Sequence, residues 1–281
     1  GRAVAGGGGR LWHSSCCGAA VPNFVVRILV SPPTYFEVSY VINPWMANQA
    51  PVNRDLAQRQ WDRLVQAIES CGASVEVLPA VKGLPDLVFT ANAAFVYDKT
   101  ALVARYKHPE RQGEEPHVED WFRRHGFRLQ TLPRQVPFEG AGDALIYDRR
   151  LVLAGYRQRT DIQAHTAISN ASGLPVLSLE LVNPRFYHVD VSLCPLARGH
   201  LLYYPGAFDS YGLQVLCENV PESKRIPTTL TEASAFACNA VPLGPNVIVH
   251  QPSTRLVDIL SSRGFRVIAV DLGEFLKAGG S

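Results

Sequence analysis

Four short polar stretches hold most of the side chains in this sequence that could do chemistry. They are Pro85-Asp86-Leu87-Val88-Phe89-Thr90-Ala91-Asn92, Phe138-Glu139-Gly140-Ala141-Gly142-Asp143, Tyr187-His188-Val189-Asp190, and the run from Thr231-Glu232 to Asn239. Each lies just ahead of an apolar hairpin, so a fold that arranges the hairpins around an axis brings these stretches to one cavity. Several carboxylates and one histidine, without a basic patch, suit a cationic planar ligand: a guanidinium has five N–H donors in a fork that carboxylates accept bidentately. Arginine or a relative is the natural ligand. The alternative is a divalent metal held by Asp86, Glu139, Asp143, His188 and Asp190, an oxygen-rich set, but no HExxH or comparable spacing accompanies it. A single histidine is more commonly a satisfied or surface residue, and it is the coincidence of His188 with Glu139 at matching repeat positions that marks a site. Gly140 and Gly142 permit close approach of backbone to a ligand beside two acids.

These stretches must be positioned by a repeated unit. Ala94-Phe95-Val96-Tyr97, a turn at Asp98-Lys99 and Ala101-Leu102-Val103-Ala104 form one hairpin; Ala144-Leu145-Ile146-Tyr147, Asp148-Arg149 and Leu151-Val152-Leu153-Ala154 repeat it 50 positions later. A third runs from Val191 to Cys194 and Leu201 to Tyr203, and a fourth from Cys238 to Val241 and Val247 to Val249. Helical periodicity, a glycine stop and a further short strand complete the unit, clearest in Leu56, Trp61, Leu64, Val65 and Ile68 before Gly72, and in Val118, Trp121 and Phe122 before Gly126. Those apolar faces are core. A period of about 50 residues implies a solenoid or a propeller, and the lack of polar capping helices favours a ring. The expected fold is therefore α/β, a five-bladed β/α propeller of strand-hairpin-helix units. Its fifth unit combines Val25 to Val30 with a strand expected after Ser281, so the chain is expected to be truncated at its C-terminus.

The 281 residues are 47% hydrophobic and 19% charged, with a formal net charge of +2, which excludes a disordered chain and gives no field suited to nucleic acid or a membrane surface. Six cysteines (16, 17, 71, 194, 217 and 238) lack metal-ligand spacing and are expected as reduced thiols in a cytoplasmic protein. Residues 1–23, glycine-rich and free of acidic side chains, are expected to be a disordered tail, leaving 24–281 as a single propeller domain, incomplete at its C-terminus.

From about residue 25 onward, the chain resembles the guanidine-modifying superfamily of five-bladed β/α propellers, the penteins. These include arginine deiminases, dimethylarginine dimethylaminohydrolases and glycine amidinotransferases. The similarity is greatest to the arginine dihydrolases, through Tyr40-Val41-Ile42-Asn43-Pro44-Trp45-Met46, Asp86 to Ala93, Arg111-Gln112-Gly113-Glu114-Glu115, Phe138 to Ala144, Phe186-Tyr187-His188-Val189-Asp190, Phe236 to Val241 and Glu274 to Gly280. The resemblance implies a cysteine thiolate that attacks the guanidinium carbon, with His188 moving protons, Glu139 assisting it, and a covalent thiouronium hydrolysed by water. It further implies that Asp86, Asn92 and Asp190 contact the guanidinium and that Arg111 and Arg159 meet the substrate carboxylate. Asp143 supports His188 or touches substrate, and Trp45 walls the pocket. No metal and no cofactor are implied; relatives form dimers or larger assemblies, so a homo-oligomer is possible.

The same resemblance places the nucleophilic cysteine a few residues after Ser281, which would leave the 281-residue fragment itself inactive. Cys238, at a repeat-equivalent position, reads instead as a buried core thiol at the start of a strand. Asn92 stands where deiminases carry an aspartate, and an amide can orient a second water that carries arginine past citrulline to ornithine. Asp190 favours an unsubstituted guanidinium, since a dimethylated nitrogen has no N–H to donate. Dimethylarginine hydrolysis, amidino transfer and a catalytically dead propeller that serves as a binding module are the remaining readings.

Overall fold

The computed structural model describes residues 26–281, and the expected tail at 1–23 lies outside them. β1 (Arg27–Val30), α1 (Arg54–Ser70) and β2 (Ser74–Val77) form a first unit whose two strands pair in parallel. The next unit is β3 (Ala94–Tyr97), β4 (Thr100–Val103), α2 (Pro109–Gln112), α3 (Glu115–Arg124) and β5 (Arg128–Gln130). β6 (Ala144–Tyr147), β7 (Leu151–Tyr156), α4 (Ala164–Ser172) and β8 (Val176–Glu180) follow, then β9 (Leu193–Leu196), β10 (His200–Tyr203), α5 (Ser210–Asn219) and β11 (Arg225–Pro227). Last come α6 (Leu230–Ser234), β12 (Val241–Leu243), β13 (Asn246–His250), α7 (Thr254–Ser262), β14 (Arg266–Val270) and α8 (Gly273–Leu276).

The described residues thus form an α/β fold of five small, separate sheets. In the four three-stranded sheets the central strand takes an antiparallel neighbour through a hairpin and a parallel neighbour through a helix. The hairpin turns use positive φ: Asp98 has 50° in the two-residue turn of the first, and Asp148 and Arg149 have 50° and 57° in the three-residue turn of the second. The anticipated helices end where glycine was read as a stop, with Gly72, Gly126, Gly173 and Gly264 all at positive φ.

Burial follows sheet contacts. Leu29 and Leu78 pack with Ala101 and Val103; Phe95 and Leu102 with Val152 and Ile168; Leu153 and Leu179 with Leu193 and Leu201. Cys194 and Leu202 pack with Val247 and Leu260, and Ile248 and Val270 with Ile68 and Ala73. Each sheet therefore shares apolar surface with the sheet before and after it in the chain, and the fifth also with the first.

Two hairpins differ from expectation. The third begins at Leu193 rather than Val191, because Val189 and Val191 are buried in the turn that carries His188. The fourth begins at Val241 rather than Cys238. Thr229 and Glu232 form a reciprocal capping box that nucleates α6, and the apolar run after it is a buried turn with Phe236 at φ 58°. A short apolar run does not by itself distinguish strand from buried turn. Cys238 is buried, as expected, though it is not on a strand; burial pushes its thiol up to about 12.

Glu232, read from the sequence as a contributor to the pocket, instead joins two helices. Its carboxylate accepts from Thr229 N at 2.9 Å, from Arg255 Nη1 at 2.7 Å and from the hydroxyl of Ser253, the N-cap of α7. Glu232→Ala removes all of these at a buried position and is expected to destabilise the chain by about 2–3 kcal/mol. Chemical denaturation should show that loss as a lower midpoint with an unchanged slope.

Candidate active site

Asp86, Asn92, Glu139, Asp143, His188 and Asp190 lie on the short segments that lead into the first strand of a sheet. A single 3-10 turn at Pro85–Val88 carries Asp86, and another at Thr90–Ala93 carries Asn92 into β3. Glu139 precedes the Gly140–Gly142 turn before β6, while His188 lies in the connection between β8 and β9 with Asp190. Arg111 comes from α2 and Arg159 from the loop after β7. Asp86, Asn92, Arg111, Arg159, His188 and Asp190 line one cavity of about 560 Å³.

Glu139 is completely buried. Its Oε2 lies 3.0 Å from Arg159 Nη1 and 3.2 Å from His188 Nε2, and its backbone N–H donates to Thr160 Oγ1 at 3.1 Å. Burial would raise the carboxyl, but Arg159 and His188 outweigh it and hold Glu139 well below the usual carboxylate range. The other face of the imidazole belongs to Asp143, whose Oδ2 is 3.0 Å from His188 Nδ1 and accepts the Thr160 hydroxyl at 2.7 Å. Burial works against the imidazolium, yet Asp143 and Glu139 together raise His188 to about 9.

Asn92 has a fixed orientation. Its Oδ1 accepts from Arg111 Nη1 at 2.9 Å, so its Nδ2 faces His188 Nε2 at 3.2 Å. A bare Nε2 accepts from Asn92, and a protonated Nε2 donates to Glu139, so the histidine has a partner in either state. Gly142 makes this packing possible: a Cβ there would overlap Asn92 Nδ2.

Two carboxylates in the cavity wall are left short of partners. Asp86 Oδ1 and Asp190 Oδ1 have no hydrogen bond, as does Glu139 Oε1. Burial, only partly offset by Arg111, raises Asp86 to about 6; burial, partly offset by His188, raises Asp190 to about 7. Among the described residues no group of three or more His, Cys, Asp or Glu is placed to hold a metal ion.

The arginines differ from each other. Arg111 gives Nε and Nη2 to Glu114, both at 2.8 Å, and Nη2 also to the Asp86 carbonyl at 3.1 Å, leaving one N–H uncommitted. Arg159 gives one N–H to Glu139 and one to the Ile42 carbonyl, so three remain for a ligand. Asp143 lies behind His188. Trp45 is absent from the cavity wall; its indole donates to Arg185 O at 2.6 Å and packs on Phe236. Residues not singled out from the sequence complete the site: Glu114 behind Arg111, Thr160 between two acids, and Asn43, Tyr187 and Asn239 in the cavity wall.

The model of the family described as N,N dimethylarginine dimethylhydrolase, eukaryotic, matches residues 38–281. The chain belongs to this family. Among its relatives is the bifunctional arginine dihydrolase/ornithine cyclodeaminase ArgZ of Synechocystis, 45% identical over 259 residues that cover 91% of this chain and 36% of that protein. The N(G),N(G)-dimethylarginine dimethylaminohydrolase of Mycobacterium tuberculosis is 43% identical, covering 91% of this chain and 83% of that one. The crystal structure of the ArgZ N-terminal domain, a cysteine-to-serine mutant bound to substrate, superposes with a TM-score of 0.89 at 44% identity, covering 91% of this chain and 94% of that domain. The chain thus spans little more than a third of the length of the curated relatives it matches first. These family members are hydrolases of guanidino C–N bonds by name.

The raised groups make stability fall with pH. His188, at about 9 against an ordinary 6.5, contributes stability that is complete below 6.5 and is lost as pH rises through 9. Asp190, at about 7 against 3.8, likewise costs stability once it ionises in the fold. Asp190→Asn should therefore be more stable than the parent chain at about pH 8 and no more stable at about pH 3.5. Denaturation at the two pH values checks this, and equal differences at both would refute it.

Proposed function

We propose that the chain is the guanidine-hydrolysing part of an arginine dihydrolase, which converts arginine to ornithine, two ammonia and carbon dioxide. The observation that carries this reading is the pair of buried, unpartnered acceptors on Asp86 and Asp190 in one cavity wall, which a planar cation with five N–H donors satisfies. Arg159, with its uncommitted N–H groups, takes the substrate carboxylate, assisted by the single free N–H of Arg111. Asn92 and Asp143 hold His188 from two sides, and Trp45 supports the loop that carries Asn43.

The nucleophile in this reading is a cysteine that follows Ser281. Its thiolate adds to the guanidinium carbon; the tetrahedral adduct expels ammonia, which takes its proton from His188, and a thiouronium remains. His188 then takes a proton from water as the oxygen adds, and the C–S bond breaks to release citrulline; in a further round the ureido carbon expels the second ammonia, water adds again, and the carbamate released loses carbon dioxide to give ornithine. Asn92 supports the longer sequence because its amide both donates and accepts. Cys238, buried in its turn, plays no part.

We read 24–281 as one β/α-propeller domain. The shared cores from the first sheet to the fifth and back to the first support a ring. Among the described residues β1 has the parallel partner found in the other units and no antiparallel one. Cys71, Cys194, Cys217 and Cys238 are free thiols, which accords with a reducing, cytoplasmic setting, and among the described residues no helix is long and apolar enough to cross a membrane.

Steady-state assays of the complete polypeptide on arginine and on dimethylarginine test the substrate. Arginine is expected to be strongly preferred and to give ornithine; equal efficiency on the two would overturn the role of Asp190. Binding has its own signature. A guanidinium beside Asp86 and Asp190 returns both to carboxylates, so arginine binding at about pH 6 should release protons. Calorimetry in buffers of different ionisation enthalpy measures that release, and proton uptake would contradict it.

A further inference from the structure

One side of the cavity is lined by Ala278, Gly279, Gly280 and Ser281, whose backbone is held by three side chains from three separate loops. Asn43 Nδ2 donates to the Ala278 carbonyl at 2.9 Å, Tyr187 Oη donates to the Gly279 carbonyl at 2.7 Å, and Asn239 Oδ1 accepts from Ser281 N at 2.7 Å. The Ser281 hydroxyl adds a bond to the Asn239 carbonyl at 2.9 Å. The holders are themselves fixed. Asn43 Oδ1 accepts from Trp45 N and Met46 N, which turns its NH₂ toward Ala278. Tyr187 lies under the Arg159 guanidinium at 4.7 Å and beside the His188 ring at 4.7 Å.

The fit leaves no slack. A Cβ at Gly279 would stand 2.8 Å from Tyr187 Oη and 2.9 Å from Asn43 Oδ1, and one at Gly280 would stand 2.9 Å from Phe89. Two consecutive glycines are the most mobile backbone a chain can have, so holding them in one path has an entropic cost that bare packing would not require. Asn239 also donates from Nδ2 to the Asp190 carbonyl at 3.3 Å. One amide thus ties the backbone of a guanidinium-binding residue to the backbone that leads out of the segment.

We infer that Asn43, Tyr187 and Asn239 form a clamp of positioning residues that holds Ala278–Ser281 in one path along the cavity wall, so that the cysteine a few residues further on is presented to the carbon of a guanidinium held by Asp86 and Asp190. The inference rests on the hydrolase reading above. Covalent attack needs the reacting atoms about 3–3.5 Å apart and aligned, and a shift of about 1 Å costs on the order of a hundredfold in rate. The clamp constrains that distance; the Tyr187 hydroxyl bonds only the Gly279 carbonyl, whereas Asn239 also braces Asp190 and so touches substrate binding as well.

Tyr187→Phe and Asn239→Ala, made in the complete polypeptide with its nucleophilic cysteine, separate positioning from binding. The expected result with arginine is a kcat lowered roughly tenfold to a hundredfold in both variants, with KM close to that of the parent in Tyr187→Phe, and a matching fall in the rate of thiouronium formation measured by rapid quench and mass spectrometry. An unchanged kcat, or a loss confined to KM, overturns the clamp. Should Asn239→Ala fail to fold, Tyr187→Phe, which deletes one hydroxyl, decides alone. If the parent polypeptide forms no adduct and no product, the hydrolase reading falls and the clamp falls with it. A normal parent with normal variants overturns the clamp only.

Discussion

The arrangement depends on keeping one completely buried carboxylate ionised. Glu139 has no solvent to stabilise its charge, so the fold must supply cations at close range, and it does so with Arg159 at 3.0 Å and His188 at 3.2 Å. These come from a loop after β7 and a loop before β9, so satisfying one charge fixes the relative position of two connections that leave different strands of the β6-β7-β8 sheet. Thr160 extends the constraint by bonding both the Glu139 backbone and Asp143. A second centre works in parallel. Glu114 holds Arg111 through two bonds, Arg111 orients Asn92, and Asn92 meets the same histidine. His188 is where the two networks join.

Against this satisfied interior, Asp86 and Asp190 are left wanting. A buried carboxylate without a cation raises its own pKa and lowers the stability of the fold at neutral pH. Sites that bind charged ligands commonly hold such a deficit, because the ligand that removes it binds more tightly than it would to a neutral wall. The remainder of the chain offsets the deficit with ordinary devices: five apolar contacts between successive sheets, and helix caps such as the Thr229–Glu232 box.

Much of this was legible in the sequence because it is periodic. Hairpins with Asp at the turn, helices with apolar residues three and four apart and glycine stops repeat at similar spacing, and His188 and Glu139 stand at equivalent places in the repeat. Where the signal was local and apolar, it failed: the run through Cys238 carries no period that separates a strand from a buried turn, and only the capping box at Thr229 and Glu232 announced α6. That box also explains why Glu232 was misplaced, since a carboxylate three residues after a threonine is as much a helix signal as a pocket residue. Tyr187, Asn43 and Asn239 stand in the runs read toward the site but had no role assigned to them, for a different reason. Their role is to bond backbone groups remote in sequence, and nothing in a side chain's identity tells which carbonyl it will meet. Trp45 was placed at the cavity wall by the resemblance of its run, whereas its N–H needed a carbonyl and found Arg185 on the outer loop.

On the proposed reading, converting arginine to ornithine asks more of the histidine than a single hydrolysis does. Each of two rounds needs a proton delivered to departing ammonia and another removed from incoming water, so the imidazole must be stable in both forms within one closed site. A histidine with carboxylates on both nitrogens would be held as imidazolium and would give up its proton reluctantly. Asn92 changes this. Its NH₂ group, held toward Nε2 by the Arg111 bond on its carbonyl, is a partner only for the bare nitrogen, and Glu139 is a partner only for the protonated one. An aspartate at position 92 would add a third acceptor and abolish the balance. The amide therefore matters through the direction in which it points, and that direction is set by Glu114, two residues removed from the histidine it serves.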